Sequence, residues 1–136
     1  MASASVETFL ASLKRCLAAP GFLESFYERF VSSSEEVREK FKNTDMKRQV
    51  RVLEDSLYVV ANAVQGEENS LARGALPALA VRHSRQGMDI PPRLFDLWIE
   101  CLLETVRVYD PEYSPAIEEA WRGTVSFGAD YIRQRY

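Results

Sequence analysis

One histidine, His83, stands among the 136 residues, in the stretch LPALAVRHSRQGM (76–88). An imidazole can act as a general base, bind a metal through one ring nitrogen, or sit satisfied in a core or on a surface. Those four readings are open for His83 from its type alone. The count excludes any zinc motif built on two histidines. Cys16 and Cys101, the two cysteines, lie in apolar, helix-like segments and read as buried or half-buried free thiols, not as a disulfide framework. The six glycines are dispersed, so no glycine-rich phosphate loop is present. No Gly-x-Ser-x-Gly elbow supports a Ser-His-Asp arrangement. The acids of SSSEE (32–36) read as a charged helix start and not as paired catalytic carboxylates. Hydrolytic and phosphoryl-transfer chemistry therefore has no motif behind it.

The elements that must position His83 are helical. Val6, Phe9, Leu10, Leu13 and Leu17 share one face of a segment spanning 5–17. Pro20-Gly21 breaks the chain. Phe22, Leu23, Phe26, Tyr27, Phe30 and Val31 then give a strongly amphipathic helix over 22–32. Ser34 can cap the short turn that follows, with Glu35 and Glu36 suited to its N-terminus. Thr44 or Asp45 can cap a long helix from about 46 to 64, along which Gln49, Leu53, Leu57, Val60, Ala61 and Val64 follow the i, i+4 rule. QGEENS (65–70) reads as a loop. A helix over about 71–84 contains Pro77, so its start is expected to be irregular or kinked. RQGMDIPP and DPEYSP are further breaks. Between them Leu94, Phe95, Trp98, Leu102 and Val106 mark a helix over 92–109. Ile117, Trp121, Val125, Gly128 and Ile132 mark a last helix from about 116. No segment alternates as a strand does. The expected fold class is all-α, in one domain over 1–136, with roughly six to eight helices and breaks too irregular for a plain four-helix bundle.

Bulk composition narrows the partners. The chain is 46% hydrophobic and 27% charged, with a net charge of −3 and 17 basic residues scattered among 20 acidic ones without a basic block. That does not favour nucleic acid or an anionic membrane as partner. The apolar runs LYVVANAV and LPALAV are far short of the roughly 20 residues of a membrane span. The N-terminus, interrupted by Glu7, Lys14 and Arg15, does not read as a signal peptide. With free thiols, this points to a cytoplasmic protein, either monomer or homodimer.

The landmarks come in a particular order: Tyr27 in SFYERF, a short polar turn, REKF ending in Phe41, a helix with Gln49 and Leu53, then LPALAVRH, IPPRLFDLWIECLLETV and AWRGTV. Their order and spacing resemble the globin family over essentially the whole chain, above all single-domain bacterial globins and the haem domain of flavohaemoglobins. The resemblance implies a globin fold around haem b, with His83 as the proximal iron ligand and Leu79 one turn earlier under the porphyrin. Phe41 matches the family's phenylalanine wedged against the haem. Tyr27 matches the distal tyrosine, and Gln49 the distal position that is often histidine in animal globins, with Leu53 one turn on. Trp121 matches an aromatic near the start of the last helix. Met88 either lines the haem edge or only closes its turn. Lys42, Arg48, Arg82 and Arg85 are candidate partners for the haem propionates. Each match has a plainer reading beside it: Phe41 as simple core, Phe26 or Phe30 facing the pocket in place of Tyr27, and Arg48 or Val52 in place of Gln49.

The implied chemistry is reversible binding of dioxygen, nitric oxide and carbon monoxide at a five-coordinate iron. A tyrosine hydroxyl and a glutamine amide are neutral donors suited to the partial negative charge of bound oxygen. Together they would slow oxygen release on the order of tenfold to a hundredfold, at about 1.4 kcal/mol per tenfold. A single histidine excludes bis-histidine coordination within one chain. An internal sixth ligand would have to be Tyr27, Met46, Lys47 or a cysteine. Phe95 stands where flavohaemoglobins have a tyrosine beside the proximal histidine, and the sequence stops near where the partner glutamate would fall. A less basic imidazole pushes less electron density onto iron, which argues against peroxidase-like oxygen activation. Nitric oxide dioxygenation would need an external reductase, since no flavin or nicotinamide domain follows. The alternatives are a gas sensor and a haem-free globin-like signalling or interaction module.

Overall fold

The computed structural model describes the backbone of residues 4–65 and 70–136, and the side chains of 5–65 and 75–136. Seven helices follow one another among the described residues, without a strand: α1 (Ala4–Ala18), α2 (Phe22–Ser33), α3 (Glu35–Phe41), α4 (Met46–Gln65), α5 (Ser70–His83), α6 (Arg93–Tyr109) and α7 (Pro115–Arg133). The all-α expectation holds, and helix count and limits agree with the sequence periodicity. The centre of the loop expected over 65–70 lies outside the described residues. None of the described helices is long and apolar enough to cross a membrane.

Local chemistry sets the boundaries. Ser34 Oγ accepts from the amides of Glu36 (3.1 Å) and Val37 (3.4 Å), which starts α3. Asp45, and not Thr44, starts α4: its Oδ1 accepts from the amides of Lys47 (3.1 Å) and Arg48 (3.3 Å). Both are side-chain oxygens satisfying helix-end amides that have no intrahelical acceptor. Ser114 caps α7 in the same way, with Pro115 in its first turn. Pro77 does not divide α5; the helix runs through it, with Pro77 on its exposed face.

The helices pack as α1 on α7, α2 on α6, and α4 and α5 on each other and on α7. Aromatic side chains fill much of the junction. Trp121 is wholly buried, 4.6 Å from the Phe9 ring and 6.2 Å from the Phe22 ring, both edge-on. Its role is therefore structural: it joins α7 to α1 and α2. Cys16 and Cys101 are free and buried, as expected. At Gly128, α7 comes close to α4. A Cβ there would lie 2.7 Å from Val60 Cγ2, so the close packing of these helices requires glycine.

A buried polar network closes the end of the bundle away from the break after His83. Trp121 Nε1 donates to Ser12 Oγ (2.8 Å), and Ser12 donates to the carboxylate of Asp110. Arg15 donates to the same carboxylate through Nε (2.7 Å) and Nη2 (2.9 Å). Burial by itself would raise the Asp110 pKa. The hydrogen bonds from Arg15, Ser12 and the Glu112 amide outweigh it and hold the carboxyl below its usual range. Asp110→Asn is expected to lower unfolding free energy by about 1.5–3 kcal/mol at neutral pH, the worth of a hydrogen bond to a charged group, measured by urea denaturation. Because the folded pKa is depressed, this contribution is complete above the unfolded value of about 3.9 and is lost as pH falls through the folded value. The gap between wild type and Asp110→Asn should close in acid.

Candidate functional site

A cavity of about 610 Å³ opens between α4 on one side and α5 and α6 on the other, with α2 and α3 at one end and α7 as its floor. Its lining is mainly apolar, with contributions from Val37, Leu57, Ile90, Leu94, Val125 and Ile132. Tyr27, Phe41, Gln49, Leu53, Leu79, His83, Met88 and Phe95 all line it. The eight residues chosen from sequence are thus brought to one place by six separate segments.

His83 is the last residue of α5. Its Nδ1 lies 2.7 Å from the Leu79 carbonyl oxygen one turn earlier. In the neutral tautomer that nitrogen carries the proton and donates, which fixes the ring and leaves Nε2 with its lone pair. Burial lowers the His83 pKa and Arg82 lowers it further, against the opposing Leu79 hydrogen bond, so the ring favours the neutral form. The Phe95 ring lies 5.9 Å away, tilted by 50°. The only hydrogen-bond partner of this imidazole among the described residues is a neutral carbonyl. Nor do three side chains of the His, Cys, Asp or Glu type converge anywhere among those residues.

Another part of the lining is built around Tyr27, which is only 5% exposed. Its ring sits edge-on to Phe26 (4.9 Å) and Phe41 (5.7 Å), and Phe41 also meets Phe30 (5.9 Å). Phe41 therefore holds Tyr27 as well as lining the cavity. Gln49 Nε2 donates to the Tyr27 hydroxyl oxygen at 3.2 Å. Burial raises the Tyr27 pKa to about 12, although the Gln49 bond pulls the other way. The phenol keeps its proton near neutral pH, and that proton is not consumed by Gln49. The sequence suggested two parallel donors; the geometry is a donor supported by a second donor. Phe30 shares the lining with Tyr27 whereas Phe26 does not, and Arg48 and Val52 share it with Gln49. Of the side chains considered as internal sixth ligands, Met46, Lys47 and both cysteines stand outside the lining; only Tyr27 belongs to it.

The cations divide differently from expectation. Arg48 and Arg82 line the cavity, but Lys42 and Arg85 do not. Lys42 pairs with Glu39 at 3.0 Å, and the Arg85 guanidinium lies 4.9 Å over the Tyr136 ring. Lys40, passed over in the sequence, takes part instead, with Nζ 3.3 Å from the Met88 carbonyl. Its adjacency to Phe41 was the available signal. Met88 both lines the cavity and closes its turn: its amide donates to the Arg82 carbonyl at 2.7 Å. Gly87 belongs to that turn, where a Cβ would lie 2.3 Å from the Arg82 carbonyl oxygen. The turn is also held by Tyr136, whose hydroxyl donates to Asp89.

Comparison with known proteins agrees with this architecture. The family model described as Globin matches residues 22–130. The chain is similar to a protein of Pseudomonas aeruginosa PAO1 whose crystal structure is described as structurally highly homologous to a human haemoglobin. The two share 33% identity at a TM-score of 0.91, covering 97% of this chain and 98% of that one. No curated protein matches.

Proposed function

This chain belongs to the globin family, and from that premise we propose that it holds haem b in the cavity between Tyr27 and His83 and binds dioxygen and other diatomic gases reversibly. The observation that supports the reading is that the chain's one histidine lines an apolar cavity, with its Nδ1 occupied by the Leu79 carbonyl, and that the bonded pair Tyr27 and Gln49 lines the same cavity. The residues fit the group. A volume of about 610 Å³ lies within the range of cofactor sites, roughly 300–1,000 Å³. The walls suit an apolar macrocycle, the neutral imidazole suits an axial iron ligand, and Lys40, Arg48 and Arg82 suit two carboxylates at the cavity edge.

When bound, haem b would supply an iron that His83 would hold and at which a diatomic gas could bind. The residues do the rest. Leu79 orients the His83 ring through its carbonyl. Leu53, Leu57 and Val60 exclude water from the distal side. Tyr27 offers a proton to a polarised ligand, and Gln49 holds the phenol in place. The carbonyl partner of His83, with Phe95 beside the ring in place of a polar group, leaves the imidazole weakly basic. That favours reversible binding over oxygen activation. Nitric oxide dioxygenation remains within the reading when an external reductase supplies electrons.

The test is a haem titration of the purified chain followed by absorption spectroscopy, with and without carbon monoxide. One haem per chain, an intense Soret band and a shift of that band with carbon monoxide are expected. A chain that takes up no haem would instead be a haem-free interaction module, and the proposal would fail.

A further inference from the structure

We propose that the basic rim at the mouth of the cavity is a docking face for a small acidic one-electron carrier protein, which reduces the haem iron from this side. The inference rests on the haem reading above and assigns the external electron donor a place and a chemistry.

The sequence contains no uninterrupted basic run, yet the fold gathers one surface. Residues 38–51 carry six basic and two acidic side chains, a net charge of +4 in a chain of −3, so the remainder carries −7. All six cations are exposed. Lys40 and Arg48 belong to the cavity lining, as does Arg82 from the opposite side. Residues that are exposed and also line the cavity mark where it opens. Arg51 lies one turn beyond Lys47 and Arg48 on the same helix, and Arg38 one turn before Lys42, so the rim extends outward from the mouth.

The local acids leave it positive: Glu39 and Asp45, the second itself part of the cavity lining, are already counted in the net charge of +4. Asp45 spends Oδ1 on the amides that begin α4. Glu39 pairs with Lys42, and Glu36 is taken by Arg93 at 2.6 Å. Asp89, in the turn after His83, is bonded by Tyr136. Arg38, Lys47, Arg48, Arg51 and Arg82 have no ion pair among the described residues. Glu54 and Asp55 end the basic stretch farther along α4. Two haem propionates would use some of the cations that line the cavity and leave those outside it.

Charge then decides the partner and its orientation. An acidic protein is repelled by the surface as a whole and attracted only at this rim, so encounter is steered to the cavity mouth. Reduction from there is a single electron transfer. The carrier's reduced cofactor loses one electron, ferric iron gains it and becomes ferrous, and no bond or proton moves.

The experiment uses the haem-loaded full chain with a plant-type [2Fe–2S] ferredoxin as the acidic probe. Calorimetric binding and stopped-flow reduction, read at the Soret band, are followed from about 20 to 200 mM salt, across which the screening length shortens severalfold. The triple variant Arg38→Glu/Lys47→Glu/Arg51→Glu alters only cations outside the cavity lining. Lys14→Glu is the control, an exposed cation on α1. Binding and reduction should weaken at least tenfold with added salt and at least tenfold in the triple variant, with haem content and spectrum unchanged. Lys14→Glu should leave both as in wild type.

Equal binding by wild type and triple variant would overturn the proposal. So would a rim that ignores ferredoxin but binds vesicles of phosphatidylserine and phosphatidylcholine. Failure of the haem reading is distinguishable, because it appears as a wild-type chain that takes up no haem. Failure of the docking alone appears as a haem-loaded chain that ferredoxin does not bind.

Discussion

Replacing His83 with alanine is expected to lower haem affinity at least about 100-fold, beyond what loss of a supporting hydrogen bond alone does to a metal ligand. The expectation follows from what else the cavity contains. Of the other side chains of ligating type, Tyr27, Lys40 and Met88 also line it; burial keeps the Tyr27 phenol protonated with a pKa of about 12, Lys40 Nζ is bonded to the Met88 carbonyl, and Met88 is an exposed turn residue. Met46, Lys47, Cys16 and Cys101 lie outside the lining, so none can take over without rebuilding the helices. The apolar walls would still favour a macrocycle, so weak uptake with an altered spectrum is expected, not a protein indifferent to haem. The side chain removed leaves room for a small ligand, and added imidazole should restore the wild-type spectrum. His83 is half-buried at the end of α5, so the far-ultraviolet circular dichroism should change little. A haem titration of His83→Ala that superimposes on wild type would eliminate the axial role.

Tyr27→Phe is expected to release oxygen on the order of tenfold to a hundredfold faster, as measured by stopped-flow displacement with carbon monoxide. The substitution removes one oxygen atom and keeps the ring that packs on Phe26 and Phe41. What is lost is a hydrogen bond from a buried hydroxyl, at about 1.4 kcal/mol per tenfold in rate. Gln49→Leu should act in the same direction but more weakly, because its amide supports the phenol at 3.2 Å. The double variant should show clear non-additivity, since the two side chains act as one unit. Carbon monoxide release, from a less polarised ligand, should respond less than oxygen release. Equal oxygen release from wild type and Tyr27→Phe would refute the distal role.

Much of the fold was legible because burial here follows helical spacing. The apolar sets around Phe22, Leu94 and Ile117 became buried faces of α2, α6 and α7. The placement of Tyr27, Phe41, Gln49 and His83 on one cavity was legible only through the resemblance to globins that their order and spacing carry, because helical periodicity alone does not say which faces converge. What escaped depended on contacts distant in the chain or on the exact turn of a helix end. Ser12 meets Asp110 and Trp121 across 98 and 109 residues, a link no local pattern reports. Lys40 and Lys42 differ only in which side of the end of α3 they leave. The Gln49–Tyr27 bond depends on where two helices cross, so spacing along one helix could name both residues but not their relation.

The floor of the cavity consists of Val125, Gly128, Ala129 and Ile132, all from α7. A chain made from its N-terminus therefore completes Tyr27, Gln49 and His83 well before the surface that closes the space between them. Until α7 (Pro115–Arg133) has left the ribosome, the apolar faces of α4 and α5 that it covers lack their cover. The pocket gains its floor only once the stretch up to Ile132 is free to pack on the helices before it. The order of synthesis thus separates the walls of the pocket from its floor, and α7 sets the moment at which the space between Tyr27 and His83 is complete.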